Sequence, residues 1–345
     1  MAFLKTFGKN PSGKQLLPIT KSANYQQKHF RNFSETVLMA ENGSMLKTMW
    51  KFLNKPKNTS PSSVLPSVKT DLHSFNTTDP VIVWFGHSSY LIHIGGKTIL
   101  VDPVLSGHAS PFTFGANSFS GSDVYTTGDL PFIDLLIITH DHYDHLDSRT
   151  VVKLKNKIGQ IATSLGVSAH LIYWGFDEKI ITEFDWWNTK TYFENFVLTA
   201  TPARHFSGRS FVRNKTLWSS FILQADGYKI YLGGDSGYDS HFKTIGEKHG
   251  PFDIAMLESG QYNEQWPDIH MMPEETVLAS VDLKAKWLLP VHWSKFALSL
   301  HPWDEPVKRV LAKAAELNVK VTTPMIGEPV ILNHAYPDKK WWNGI

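Results

Sequence analysis

The chain contains no cysteine. That removes disulfides, thiolate metal sites and a cysteine nucleophile, and it fits a cytoplasmic protein. It also lacks any apolar run of about 18 residues, so no transmembrane helix is expected. The opening stretch MAFLKTFGKNPSGKQLLPITK has no apolar core of the kind a secretory signal needs. Peripheral contact with a membrane surface and homo-oligomer formation both stay open on these grounds. A charge excess is missing as well. The 34 basic and 32 acidic residues leave a formal net charge of +2, whereas a nucleic-acid binder that works by neutralising phosphates shows a clear basic surplus. No nucleic-acid partner is expected, and no internal repeat is visible.

What is abundant is core material. The 345 residues are 42% apolar and 13% aromatic, with 12 tryptophans, enough for one large domain or two ordinary ones. Residues 1–79 read differently from the rest. They are polar, and the segment NKPKNTSPSSVLPSVKT (Asn54–Thr70) reads as an extended arm. SETVLMAENGSMLKTMWKFLNK (Ser34–Lys55) has the pattern of a short amphipathic helix. Residues 1–79 are therefore expected to be an N-terminal arm packed on a main domain of residues 80–345.

From Val81 onward, short β-rich runs alternate with helical patterns. VIVWFG, SYLIHIG and KTILVDP are strands, the last two joined by a tight turn at Gly95–Lys97. IDLLIITH (Ile133–His140) is a continuous apolar run, as in a strand buried on both faces. Further strand runs are FVLTATPARH, SSFILQADGYKIYLGGDS, FDIAMLESG and AKWLLPVH. Helical stretches are SRTVVKLKNKIG, DSHFKTIGEKHG, PEETVLASVDL and EPVKRVLAKAAELN. The expected class is α/β (α+β), with sheets enclosed by helices.

Four of the apolar runs deliver a histidine or aspartate at their ends: His140, His205, Asp235 and His292. In α/β architectures, ligand sites gather where strands end and loops converge. THDHYDHLD (Thr139–Asp147) adds His142, Asp144 and His145 within a few residues of His140. Taken alone, a histidine at a strand end is usually an ordinary polar side chain. The density of HDHYDH is not ordinary. Neutral imidazoles and carboxylates bind zinc and similar divalent ions. Two such ions a few ångströms apart need roughly six or seven protein ligands. His140, His142, Asp144, His145, His205, Asp235 and His292 supply them. Two divalent cations are expected, zinc first, with manganese or iron as alternatives.

With these residues in hand, the sequence resembles the metallo-β-lactamase fold superfamily, whose motif is H-x-H-x-D-H followed by separate His, Asp and His. Within it, the chain is similar to the N-acylphosphatidylethanolamine-hydrolysing phospholipase D group and its bacterial relatives. The supporting stretches include WFGHSSYLIHIGGKTILVDPVLSGHASP, HDHYDHLD, TPARHFSGR, GGDSGY, HMMPEE and HWSKFAL, spread over about Asp79 to Val330. The resemblance implies a four-layer αββα sandwich with two metals at one edge. By that analogy His140, His142 and His205 hold one ion, Asp144, His145 and His292 hold the other, and Asp235 bridges. A histidine at position 142 favours a hydrolase over the flavin-linked di-iron members, which carry glutamate there. MLESGQYNEQW (Met256–Trp266) departs from the animal phospholipase, which has apolar residues where Glu258 and Ser259 stand.

The implied activity is a phosphodiesterase that uses hydroxide bridging the two ions on a lipid or small-molecule substrate. The alternative is a metal-dependent lactonase or amide hydrolase acting on a small polar substrate. A binding protein that merely kept the fold is disfavoured by the intact ligand set. Asp144, Asp235 and His270 are the catalytic candidates, with His87 a second candidate for substrate contact. A structural hydrogen bond is an equal reading for His87 and His270. Asp102 and Asp147 are expected behind the ligands, since a ligating histidine normally donates its other N–H to a carboxylate or carbonyl. Gly233 and Gly234 fit a backbone that approaches the metals closely. Tyr143 is expected to bond locally. Among the tryptophans, Trp218 and Trp266 are placed near the pocket, while Trp186, Trp187, Trp293 and Trp303 are assigned to packing. Arg204, Arg209 and Arg213 are candidates to hold an anionic group.

Overall fold

The computed structural model describes residues 5–39, 50, 54–75, 77–113 and 115–345. The apolar runs become strands of two sheets. One has seven strands, in the order β15-β3-β4-β5-β6-β7-β8. These are β3 (Val81–Trp84), β4 (Tyr90–Ile94), β5 (Lys97–Val101), β6 (Ile133–Ile138), β7 (Ile158–Ser164), β8 (Ile181–Phe184) and β15 (Pro329–Ile331). The other has six, in the order β14-β13-β12-β11-β10-β9. These are β9 (Thr189–Tyr192), β10 (Phe196–Thr201), β11 (Ser220–Ala225), β12 (Tyr228–Leu232), β13 (Ile254–Glu258) and β14 (Leu288–Val291).

Trp84, Ile92 and Leu135 of the first sheet meet Phe221, Leu232 and Met256 of the second in one buried cluster. The two sheets therefore pack face to face and exclude water between them. The outer face of the seven-stranded sheet (Val83, Leu100, Leu136) is covered by the helix α2 (Ser148–Leu154) and the helix α3 (Ser168–Tyr173) through Val151, Leu154 and Leu171. The outer face of the six-stranded sheet (Ile222, Tyr231, Ala255) is covered by α4 (His241–His249), α5 (Pro273–Asp282) and α6 (Glu305–Leu317) through Phe242, Val277 and Val310. Helix, sheet, sheet, helix is the αββα sandwich. Buried on both faces, the central strands carry the continuous apolar runs that mark them in the sequence.

Strand direction explains where the site falls. β5, β6, β7 and β8 are parallel, and β3 is antiparallel to β4, which is antiparallel to β5. β3, β5 and β6 therefore end at the same edge. In the other sheet β12, β13 and β14 are parallel, while β10 and β12 are each antiparallel to β11. β10, β12, β13 and β14 thus also end together. His87, Asp102 and His140 follow the first set. His205, Asp235 and His292 follow the second, and Glu258 closes β13.

Several local expectations shift. The helix expected through Gly159 ends at Leu154. After a short 3-10 turn, Ile158 opens strand β7, because Ile158–Ser164 pairs with β6. Strands β8, β9 and β15 were not apparent in the sequence: β8 and β9 are half-polar, and β15 has only three residues. The amphipathic helix expected over Ser34–Lys55 falls mostly on residues 40–49 and 51–53, outside the described residues, and 34–39 is not helical. Among the described residues no helix is long and apolar enough to cross a membrane.

Residues 16–30 pack against the rest of the chain. They include the short helix α1 (Leu16–Ile19) and the two-stranded β1 (Tyr25–Gln26) and β2 (His29–Phe30). Ile19 and Phe30 are fully buried against Leu165, Leu217 and Trp218.

Candidate metal centre

Strand β6 ends at Ile138, and the chain leaves it extended through Thr139 to His142. Alternation sends His140 and His142 to one side and Asp141 to the other. His140 Nε2 and His142 Nδ1 stand 3.0 Å apart, and His205 Nε2 is 3.2 Å from the same His142 nitrogen. Asp235 Oδ2 lies 3.8 Å from both His140 Nε2 and His205 Nε2. Four donors around one ion at about 2.0–2.1 Å would be separated by about 3.3 Å. These four atoms have that spacing, and the four residues form one group able to hold a metal.

A second group gathers His87, Asp144, His145 and His292. His145 Nε2 is 3.1 Å from Asp235 Oδ2 and 3.8 Å from Asp144 Oδ2. His87 Nε2 lies 3.0 Å from Asp144 Oδ2. Asp235 faces both groups, His292 Nδ1 being 3.2 Å from its Oδ1. Asp235 Oδ1 and His292 Nε2 are buried with no hydrogen-bond partner. Buried polar atoms are almost always satisfied, and each exception needs a reason. A cation between the two groups supplies one, so the donors present fit a divalent ion in chemistry and spacing.

The electrostatics agree. Burial holds His140, His205 and His292 well below the usual histidine range, so their imidazoles are neutral, the form that binds metal. Burial also lowers His142. His145 goes the other way: burial would lower it, but Asp235, Asp144 and Asp102 surround it and raise it well above the ordinary value. With only protons to balance them, three carboxylates force a positive charge onto His145. Divalent cations do the same job with every histidine neutral.

A rear layer orients the ligands. Asp102 Oδ2 sits 2.7 Å from His145 Nδ1 and accepts from the Thr139 hydroxyl at 2.6 Å, as anticipated for Asp102. His205 Nδ1 lies 2.8 Å from the Ile269 carbonyl, and His292 Nδ1 2.9 Å from Ser88 Oγ. Asp147 does not touch a ligand. It caps α2 by accepting from Arg149 N at 3.0 Å, since a helix start needs that acceptor. Gly233 and Gly234 are glycines because a Cβ would lie 2.4 Å from the Met256 carbonyl and 2.6 Å from that of Ser219. The close approach is to neighbouring backbone, not to the ligand cluster. His87, Asp102 and His292 adopt φ of +53°, +42° and +68°. Such strain at non-glycine residues persists where the surroundings enforce it, commonly at functional sites.

The donors open into a cavity of about 360 Å³. His142, Asp144, Asp235 and His270 line its floor, and its walls include Leu38, Met39, Phe206, Trp266, Ile269 and Leu298, with Arg213 beside them. Of the arginines, only Arg213 reaches it. Arg204 is held by Asp268 at 3.1 Å and the Glu35 carbonyl at 2.6 Å. Arg209 is buried and donates to the Asp141 and Leu146 carbonyls, each at 2.7 Å, bracing the histidine-rich loop. Tyr143 donates to the Arg209 carbonyl at 2.5 Å, a partner 66 residues away and not the local one expected. Trp266 lines the cavity, but Trp218 does not. It is buried behind His205, donating to Asn32 Oδ1 and the Ala203 carbonyl.

Two residues here escaped the sequence reading. Asn32 of the arm grips the backbone of His205, donating to its carbonyl at 2.8 Å and accepting from its N–H at 3.1 Å. No periodicity marks it. Glu258, noted only as a departure, is fully buried, with Oε2 3.2 Å from His270 Nδ1 and Oε1 accepting from Met271 N at 3.0 Å. Burial raises the Glu258 carboxyl. Its position at the end of β13, in register with the strands that deliver Asp235 and His292, was the available signal.

Known proteins share this family and fold. The profile of the beta-lactamase superfamily domain matches residues 97–293. An uncharacterized protein of Mycobacterium tuberculosis (strain H37Rv) is 37% identical over 327 residues, covering 93% of this chain and 88% of its own. The N-acyl-phosphatidylethanolamine-hydrolyzing phospholipase D 1 of Caenorhabditis elegans is 32% identical over 267 residues, 71% of this chain and 74% of that one. Among solved structures, the metallo hydrolase Igni18 of Ignicoccus hospitalis superposes with a TM-score of 0.58 at 21% identity, over 75% of this chain and all of that one.

Proposed function

The chain belongs to the β-lactamase superfamily as a metal-dependent hydrolase of the metallo-β-lactamase fold, and on that premise we propose that it cleaves the phosphodiester of an N-acylated phospholipid or a related diester. The observation that carries the reading is the cavity. An apolar wall of Leu38, Met39, Phe206, Trp266, Ile269 and Leu298 and a single guanidinium, Arg213, face the histidine–aspartate cluster. Acyl chain against the wall and anionic phosphate against Arg213 satisfy both halves of that lining. A small polar lactone would leave the apolar wall wet, which disfavours the alternative. The similarity to N-acyl-phosphatidylethanolamine-hydrolyzing phospholipase D supports the same choice.

His140, His142, His205 and Asp235 would hold one cation, and Asp144, His145, His292 and Asp235 the other, with His87 in reach of the second. Bound there, two divalent ions, zinc by ligand chemistry, supply Lewis acidity and a water whose pKa falls from about 15.7 to about 7. The chain's own residues do the remainder. Asp144 and Asp235 present carboxylate oxygens that orient the attacking water. Arg213 draws the phosphate onto the cluster. Glu258 takes His270 Nδ1, which leaves Nε2 of this cavity-lining histidine to carry a proton to the departing alkoxide. The apolar wall excludes bulk water from the reacting centre.

Metal analysis of the purified chain should find two divalent ions. Turnover should be seen with bis(p-nitrophenyl) phosphate and N-acylphosphatidylethanolamine but not with simple lactones. His142→Ala, at a half-buried ligand position, should lower turnover at least about a hundredfold, the upper end of what losing a residue behind a ligand costs, while leaving the fold intact. Lactone turnover without diester turnover would overturn the substrate class, and full activity in His142→Ala would overturn the site.

A further inference from the structure

Beside the cavity mouth, the loop after Arg209 presents Phe211 at 107% exposure and Val212 at 45%. A phenylalanine wholly in water gains nothing from the fold, and exposed apolar groups of this kind mark interaction surfaces. The loop is anchored at its base. Tyr143 donates to the Arg209 carbonyl at 2.5 Å, His29 Nδ1 lies 3.1 Å from the Arg213 carbonyl, and Phe30 N donates to the Asn214 carbonyl at 2.9 Å. These bonds set the β1–β2 hairpin alongside it. Lys215 Nζ reaches the Lys28 carbonyl at 2.7 Å, and Lys28, His29, Arg31 and Arg213 are all exposed. Phe33 follows at 62% exposure. The result is an apolar loop tip tied to a hairpin that carries exposed cations, and Arg213 belongs both to that loop and to the cavity lining.

The charge distribution extends the pattern. Residues 1–79 hold 10 lysines and one arginine against four acidic residues, or +7. Residues 80–345 hold 23 basic and 28 acidic residues, or −5, and the two sum to the net +2. A chain whose N-terminal stretch is basic, with exposed cations of that stretch tied to an exposed apolar loop, suits an anionic interface. It does not suit a second copy of the chain, because a two-fold contact would set Lys28, Arg31 and Arg213 against like charges.

We propose that this face docks on an anionic phospholipid surface, with Phe211 and Val212 inserted and Lys28, Arg31 and Arg213 against the head groups. Substrate then reaches the cavity from the bilayer without crossing water; this last step rests on the lipid-diester reading above, whereas the docking itself does not.

The test is co-sedimentation of the full chain with phosphatidylcholine vesicles, with and without phosphatidylglycerol. The protein should pellet with the anionic vesicles and be released by salt. Phe211→Ser with Val212→Ser should weaken the partition about tenfold or more. Lys28→Glu with Arg31→Glu should weaken it by at least the roughly fivefold that each cation contributes at such a surface. Both variants should hydrolyse soluble bis(p-nitrophenyl) phosphate as the parent does, which shows that they fold. A parent that stays in the supernatant, or variants that pellet like it, would overturn the docking. So would a dimer that Phe211→Ser dissociates. Soluble diester turnover without vesicle binding removes the docking surface alone. Vesicle binding that depends on Phe211, without diester turnover, upholds the surface and removes only the proposed reaction.

Discussion

His241, at the start of α4, shows how one buried group sets a pH limit. It is 6% exposed, with Nε2 3.2 Å from Ser236 Oγ, next to Asp235 in the chain. Burial lowers its pKa to about 4, with Arg204 reinforcing and Asp239 opposing the shift. The unfolded chain takes up this proton near pH 6.5, whereas the folded chain refuses it until about pH 4. Between those values the unfolded state binds more protons, so stability rises with pH across the window and is lost as pH falls through it. The full effect is about 3 kcal/mol for this one residue. His241→Gln keeps a partner for Ser236 but cannot be protonated. In urea melts of metal-loaded protein at pH 7 and pH 4.5, the variant should lose about 2 kcal/mol less than the parent on acidification. Equal losses would show that His241 is not held neutral by the fold.

The strand ends carry most of what the sequence could disclose, and their limits show why the rest stayed hidden. A run such as Leu135–Ile138 is apolar because both its faces are covered, and it ends two residues before His140, so the reading needs no tertiary information. His205 was harder. β10 stops at Thr201, and the residues between bend back to place the ring on the cluster. β8 and β9 lie at sheet edges with half-polar faces and lose the alternation that would have marked them. Trp218 was expected near the pocket, but its indole N–H requires a buried acceptor and finds it behind the histidine. Asn32 left no trace because a grip on another segment's backbone has no local pattern. That grip yields a prediction for the arm. Asn32→Ala strips partners from the His205 N–H and carbonyl, and each buried group left unpaired costs about 1–3 kcal/mol. The variant should lose about 2 kcal/mol or more in urea melts and bind metal more weakly. Unchanged metal content and stability would mean that the arm merely lies against the domain.

The cluster also joins the two halves of the sandwich. His87, His140, His142, Asp144 and His145 come from loops of the seven-stranded sheet, and His205, Asp235 and His292 from the six-stranded one. Cations held between them would tie the sheets together at one edge, and the unfolded chain offers no such cage. A ligand that binds only the folded state stabilises it by RT ln(1 + [L]/Kd), about 4 kcal/mol when free metal exceeds its Kd a thousandfold. In a domain of this size each kcal/mol moves the melting temperature by about 2–4 °C. Stripping the metal with a chelator should therefore lower the transition by about 10 °C. Far-UV circular dichroism should change little at room temperature, because the inter-sheet core, from Trp84 to Phe221 and Met256, does not depend on the ions. Adding zinc back should restore the transition and diester turnover together, since both draw on the same donors. A melting temperature indifferent to chelation would show that the hydrogen bonds of Asp102, Ser88 and Asn32 alone hold the cage, and that its carboxylates are balanced by the proton on His145 and not by a cation.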